Sequence, residues 1–220
     1  MKTNIRNLSE ELSIIEERFP KLRAVFSKSG RLEKLIGELD ICDDEGNYWD
    51  TFDIKIVIPK KFPYAIPKVF ELNGKILRDN DRHISEDGLC CLDIEHELLR
   101  LASKGISLCD FIVDKVYTFF ANQLFFEKMG EYANGEYPHG FEGVRYFYSK
   151  KLNLTNPVII IRFLKLILKN QIPGRNDCCP CQSGRKFKKC HLKSFEYLKS
   201  IRRERLKEDL NGFINMSVNT

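Results

Sequence analysis

The chain has 220 residues, 43% of them hydrophobic, with 16 Phe, enough to build one ordinary domain with a small appendage and too apolar for global disorder. No apolar leader follows Met1, and the most apolar run, Val158–Leu168, is broken by Arg162 and Lys165 and falls short of the ~20 residues that span a bilayer, so a cytoplasmic protein is expected. The net charge of +5 is uneven: residues 1–149 carry 20 Lys and Arg against 26 Asp and Glu (net −6), whereas residues 150–220 carry 16 against 5 (net +11). That basic end is either a solvated tail or a surface for an acidic partner or nucleic acid.

Ser9 is a helix cap by residue type, and Leu8, Leu12, Ile15 and Phe19 recur at helical spacing behind it. Pro20 breaks that helix, with a second short helix expected over Lys21–Ser27, before Gly30 marks a turn. Leu32–Cys42 and Tyr48–Ile58 read as strands, since Phe52, Ile54, Ile56 and Ile58 alternate with Asp53, Lys55 and Val57. Asp43, Asp44, Glu45, Gly46 and Asn47 form the hairpin turn between them, and Val69–Leu72 is a third strand after a proline-punctuated loop.

Residues 74–106 show little periodicity, and long irregular stretches inside compact domains are often functional. Ser107 then opens a helix to about Phe126, with Leu108, Phe111, Ile112, Val116, Phe119 and Phe120 on its buried side. Further helices are expected at Phe141–Lys151, Pro157–Lys169 and Phe195–Leu210. Helix, antiparallel strands, loop and helices in that order give an α+β class. The domains read as 1–152, a connecting helix at 153–172, and 173–220.

The eight cysteines are clustered, four within Cys178–Cys190 and two as the pair Cys90–Cys91, which points to metal binding and catalysis rather than a disulfide framework. Cys42 and Cys109 read as small buried hydrophobes. Cys179, Cys181, Cys190 and His191 supply four soft or borderline ligands in two close pairs, the donor set that tetrahedral Zn2+ requires. Four protein ligands leave no open position, so the zinc would be structural, and in so small a segment it would supply the folding energy. Arg185, Lys186, Lys188 and Lys189 would favour thiolates. The stretch from Gly174 to His191, Gly-Arg-Asn-Asp-Cys-Cys-Pro-Cys-Gln-Ser-Gly-Arg-Lys-Phe-Lys-Lys-Cys-His, closely resembles the SEC-C motif. Cys178 stands where proline is usual and Gln182 where glycine is usual, and exchange of Cys178 for Cys179 as ligand is left open by the sequence.

Asp87-Gly88-Leu89-Cys90-Cys91-Leu92-Asp93 brings adjacent cysteines into an irregular loop, with His83 eight residues before Cys91. By residue type alone this is either a nucleophile with a nearby polar partner or a pair of inert buried thiols. The run Tyr48–Ile58, then Phe62-Pro63-Tyr64-Ala65-Ile66-Pro67-Lys68-Val69, then Gly88 to Ile94, resembles a ubiquitin-conjugating (UBC-like) domain over roughly residues 5–150. The resemblance implies a UBC-like fold and a nucleophile at Cys91, with Cys90 in the preceding apolar position and Asp93 in the Cys-Leu-Asp run. His83 stands where the eukaryotic family has asparagine, and it would donate to a developing oxyanion or act as a base. Gly135-Glu136-Tyr137-Pro138-His139-Gly140 resembles a stretch of prokaryotic members, making His139 either an accessory site residue or a turn anchor. His96 has no such context and is expected at the surface. The implied activity is thioester relay: Cys91 takes the C-terminal glycine of a ubiquitin-like protein, or of a nucleotidyltransferase cyclase (CD-NTase) in bacterial antiphage systems, and passes it to an amine. A separate activating enzyme is a possible partner, because the chain has no Gly-rich nucleotide loop of its own. The competing expectation is a catalytically inactive UBC-like adaptor that binds through its fold and its zinc knuckle.

Overall fold

The computed structural model describes residues 7–43, 45–133 and 135–218. The class is α+β, built on a four-stranded antiparallel sheet whose strands lie side by side in chain order. The chain clusters into two compact units, residues 1–93 with 101–136, and residues 94–100 with 137–220.

In the first unit α1 (Leu8–Arg18) is capped by the Asn7 side chain, which accepts from Ser9 N, so the cap lies two residues earlier than the expected Ser9. It buries Ile15, and Glu11 Oε2 accepts the Leu108 N–H at 2.6 Å, supplying a buried acceptor to the start of a later helix. Lys21–Ser27 is not a helix. Leu22–Phe26 is strand β1, paired with β2 (Leu32–Cys42), because Val25 and Phe26 suit a pleated edge and Leu22 fills the core. Strand β3 (Tyr48–Val57) buries Phe52, Ile54 and Ile56 on the face their alternation predicts. The turn before it closes through Asp43 N to Asn47 O, with Asp43 Oδ1 accepting from Glu45 N and Asn47 N; Asp44 lies outside the described residues. Strand β4 is Lys68–Glu71.

Residues 74–106 are less irregular than expected. They contain α2 (Glu95–Lys104), whose buried positions His96, Leu99 and Ala102 fall at three-residue spacing. From Ser107, whose side chain accepts from Asp110 N, the chain runs helically through α3 (Leu108–Phe111), a π-helical stretch at Ile112–Tyr117 and α4 (Thr118–Met129). All six predicted core positions of this run are buried, and Phe120 meets Phe52 of the sheet at 4.7 Å between ring centroids. Cys109 is buried, whereas Cys42 is only half-buried, its backbone N–H and C=O both bonded to the Tyr117 hydroxyl at 2.6 and 2.7 Å.

The second unit holds α5 (Gly140–Leu152), α6 (Pro157–Leu168), a cysteine-rich turn segment, α7 (Leu192–Lys199) and α8 (Arg203–Val218). The expected single helix over Phe195–Leu210 is therefore two, separated by a break at Ser200–Arg202. Phe147, Tyr148, Phe163, Phe187, Phe195 and Phe213 form its fully buried aromatic core. Among the described residues no helix is long and apolar enough to cross a membrane.

Candidate functional site: an exposed thiol loop and a Cys3His cluster

Cys91 sits at the end of a doubled-back loop that extends the sheet past β4. Cys90 N donates to Val69 O at 2.8 Å and Glu71 N to Gly88 O at 2.9 Å, so residues 88–90 lie along the β4 edge. The loop then pairs with its own approach: Ile84 bridges Cys90, Ser85 N donates to Leu89 O at 3.0 Å, and Cys91 N donates to His83 O at 2.8 Å. Pleating turns successive side chains to opposite faces, so Cys90 is buried and Cys91 exposed. Gly88 is required here: its φ is +85°, and a Cβ would stand 2.3 Å from Glu71 O. The Arg78 guanidinium reinforces this floor, donating to Glu71 O at 2.9 Å and pairing with the buried Glu71 carboxylate.

His83 is placed by the 3-10 turn Asn80–Arg82, which packs on α4. Arg82 Nε donates to Gln123 Oε1 at 2.9 Å, Gln123 Nε2 returns a bond to Arg82 O at 3.0 Å, and the guanidinium lies over the Phe126 ring. His83 has a left-handed backbone (φ 55°), its ring is 5.6 Å from Tyr132, and its Nε2 lies 2.9 Å from Glu136 Oε2. The structure thus brings the His83 backbone to the Cys91 backbone and engages the imidazole with Glu136, a partner that the sequence motif contained but no spacing rule singled out. Asp93 is not a free carboxylate; it pairs with Lys115 of the π-helical stretch at 2.5 Å, tying the end of the loop to that helix. His139 is exposed at the N-terminus of α5 in the second unit and makes no capping bond with its side chain.

Burial pushes the Cys90 thiol up to about 12, making it inert, and burial alone also raises Cys91. Among the described residues no cation lowers the Cys91 thiol. Its alkylation by iodoacetamide is therefore expected to rise about tenfold per pH unit and to keep rising above the ordinary cysteine value of ~8.5. A plateau below pH 8 in a peptide-resolved rate profile would contradict this environment.

The second cluster lies in residues 171–191. Gly174 N donates to Asp177 Oδ2 at 2.7 Å, Phe187 N to Asp177 O at 2.8 Å and Cys179 N to Arg185 O at 2.8 Å, folding the segment so that both ligand pairs face each other. One ligand atom from each of Cys179, Cys181, Cys190 and His191 lies within 4.8 Å of every other. Cys179 Sγ is 3.4 Å and Cys190 Sγ 3.2 Å from His191 Nδ1, and Cys181 Sγ is 3.6 Å from Cys190 Sγ. A tetrahedron with bonds of 2.0–2.3 Å places its corners roughly 3.3–3.8 Å apart, so the donor set fits zinc in type and spacing. Cys178 is exposed and stands outside the cluster, its backbone bridging Lys186. Burial drives Cys179 up to about 12, helped by its bonds to Cys181 and Cys190. Cys181 is driven up by burial too, yet Ser183 and the neighbouring thiols bring it down to about 6, so it is these groups that favour a thiolate there. Gln182, where the motif usually has glycine, adopts φ 64°, which explains the usual residue and marks a strained position. Arg162 reaches from α6 to Pro180 O at 2.6 Å, and His191 stacks edge-on to Phe163.

Residues 175–193 match the SEC-C motif family. No curated protein matches the chain. Among solved structures, the crystal structure of the yeast vps23 UEV domain in complex with a vps27 PSDP peptide is similar over 54% of this chain and 85% of that domain, at 12% identity and a TM-score of 0.35. At that score the likeness is too loose to bear on fold or activity.

Proposed function

We propose that the first unit is a ubiquitin-conjugating-like acyltransferase with Cys91 as its nucleophile, and that the Cys3His cluster holds a structural zinc. The observation that carries the reading is the loop pairing that buries Cys90 while presenting Cys91, together with the Gly88-to-Ile94 motif that resembles the UBC family at that position. The Cys91 thiolate attacks the C-terminal glycyl carbonyl of a ubiquitin-like protein or cyclase tail already activated as a thioester. It forms a new C–S bond, and the carrier thiol leaves. An amine then attacks the same carbonyl, and the Cys91 thiol is regenerated. His83 is the polar group proposed to meet the oxyanion; with Nε2 engaged by Glu136, that task falls to Nδ1. Zinc, once bound, fixes the knuckle and takes no part in the transfer, since its four protein ligands fill the coordination shell. We place the protein in bacterial antiphage defence on the same family resemblance.

The test is a non-reducing gel of wild type and Cys91→Ser with the Gly-ended partner and its activating component. A thiol-labile adduct on wild type, with a stable ester or nothing on the variant, supports transfer. Loss of the adduct in Cys90→Ser but not in Cys91→Ser would overturn the assignment, and no adduct with any partner would favour the adaptor.

A further inference from the structure

Cys90 and Cys91 are adjacent thiols, and in an extended segment two neighbours point to opposite faces, so only one of them meets solvent. Which one does is set by the register of residues 88–90 on strand β4, because a slip of one residue turns every side chain over. In the observed register Leu89 bridges Phe70 and Cys90 N donates to Val69 O, and the Cys90 thiol is turned inward, 3.7 Å from Gly88 O. Backbone bonds alone do not fix such a choice, since a slipped segment would make equivalent ones.

The fixing element lies at the end of β4. Glu71, the last residue of that strand, is 1% exposed, and its carboxylate is occupied by the turn that follows. Oε1 accepts from Asn73 N and from Lys75 N, each at 3.1 Å, and Oε2 accepts from Gly74 N at 3.0 Å. Fully buried Ile76 seats the same turn. The turn delivers Arg78, whose Nη2 pairs with Glu71 Oε2 at 2.5 Å and donates to Glu71 O at 2.9 Å.

The Glu71 carbonyl and the Arg78 guanidinium together make the wall against which Gly88 rests. A Cβ at position 88 would stand 2.3 Å from Glu71 O and 3.2 Å from Arg78 Nη2. The neighbours on either side, Asp87 and Leu89, both carry a Cβ, so a slip in either direction drives a side chain into the wall. Arg78 Nη1 is buried and bonds to no described residue. A buried ion pair with an idle donor gains little over apolar packing of the same volume. What it adds is a fixed shape opposite Gly88.

We propose that Glu71 and Arg78 are positioning residues that select the nucleophile: their wall holds the loop in the one register that presents Cys91 and hides Cys90. All of these residues belong to the first unit. The inference rests on Cys91 being the thiol that carries the acyl group, but its test reads thiol exposure, so it and the transferase reading fail separately.

The experiment is iodoacetamide alkylation of full-length wild type, Arg78→Met, Arg78→Lys and Glu71→Gln at fixed pH, with peptide fragmentation to separate Cys90 from Cys91. Met keeps the aliphatic stem and removes the guanidinium, and Gln keeps the shape of Glu71 but loses the charge that orients Arg78. In both, the ratio of Cys90 to Cys91 alkylation is expected to rise at least about tenfold, while Cys109, buried in the same unit, stays as protected as in wild type. Arg78→Lys restores a cation beside Glu71 without the planar fork, and its ratio should rise only about threefold. An unchanged ratio in Arg78→Met overturns the proposal. In a variant that folds, a rise at Cys109 in step with Cys90 overturns it too, because the pair would then stabilise the unit as a whole and not its register. If Arg78→Met fails to fold, the milder Arg78→Lys is read by the same ratio against the same Cys109 control.

Discussion

Cys190→Ser is expected to abolish metal binding and unfold residues 174–191, whereas Cys178→Ser should retain the metal in full. Structural zinc sites in small domains supply on the order of 10 kcal/mol of folding free energy at neutral pH, far more than so short a segment can gain from burial. Its apolar contribution is chiefly Phe187, stacked on Phe195 of α7, with His191 against Phe163 of α6. Loss of the metal therefore removes the knuckle and also loosens the α6–α7 packing it covers. Elemental analysis should find one zinc per wild-type and Cys178→Ser chain and none on Cys190→Ser. Metal loss in Cys178→Ser would show that the ligand is Cys178 and not Cys179.

Gly88→Ala should destabilise the first unit by about 3 kcal/mol, large for the addition of one methyl group. Two costs add: a left-handed backbone that alanine disfavours and a Cβ that would meet Glu71 O at 2.3 Å. The clash is with backbone, so relief requires the loop to leave the β4 edge. Cys90 should then become alkylatable at neutral pH, having lost the burial that holds its thiol near 12. Denaturant melts and peptide-resolved alkylation check both; an unshifted midpoint would mean that the loop does not rest on β4 as described.

Periodicity made the long strands and the helical run from Ser107 legible, because one face of each is buried almost without exception. It failed where a polar residue occupies a core position. Residues 74–106 looked irregular because the buried face of α2 begins with His96, whose environment is supplied by Asp209, 113 residues away in the chain. The strand at Leu22–Phe26 was hidden by its brevity, since five residues cannot distinguish two periodicities. At the candidate site, residue types and spacing singled out Cys179, Cys181, Cys190 and His191, which the structure brings together, whereas the choice of Cys91 and His83 in the loop came from the UBC-like resemblance. Neither could reveal that Glu136 holds the imidazole or that Lys115 occupies Asp93, because those pairings depend on how the loop meets α4 and the π-helical stretch.

The most direct test of the central claim is mass spectrometry of the non-reduced adduct formed with a Gly-ended partner, with the acylated cysteine located by peptide mapping. The expected result is a single thiol-labile acyl group on Cys91 and none on Cys90, Cys178 or the zinc ligands. An acyl group on any other cysteine, or none under conditions where the partner is demonstrably activated, would contradict it.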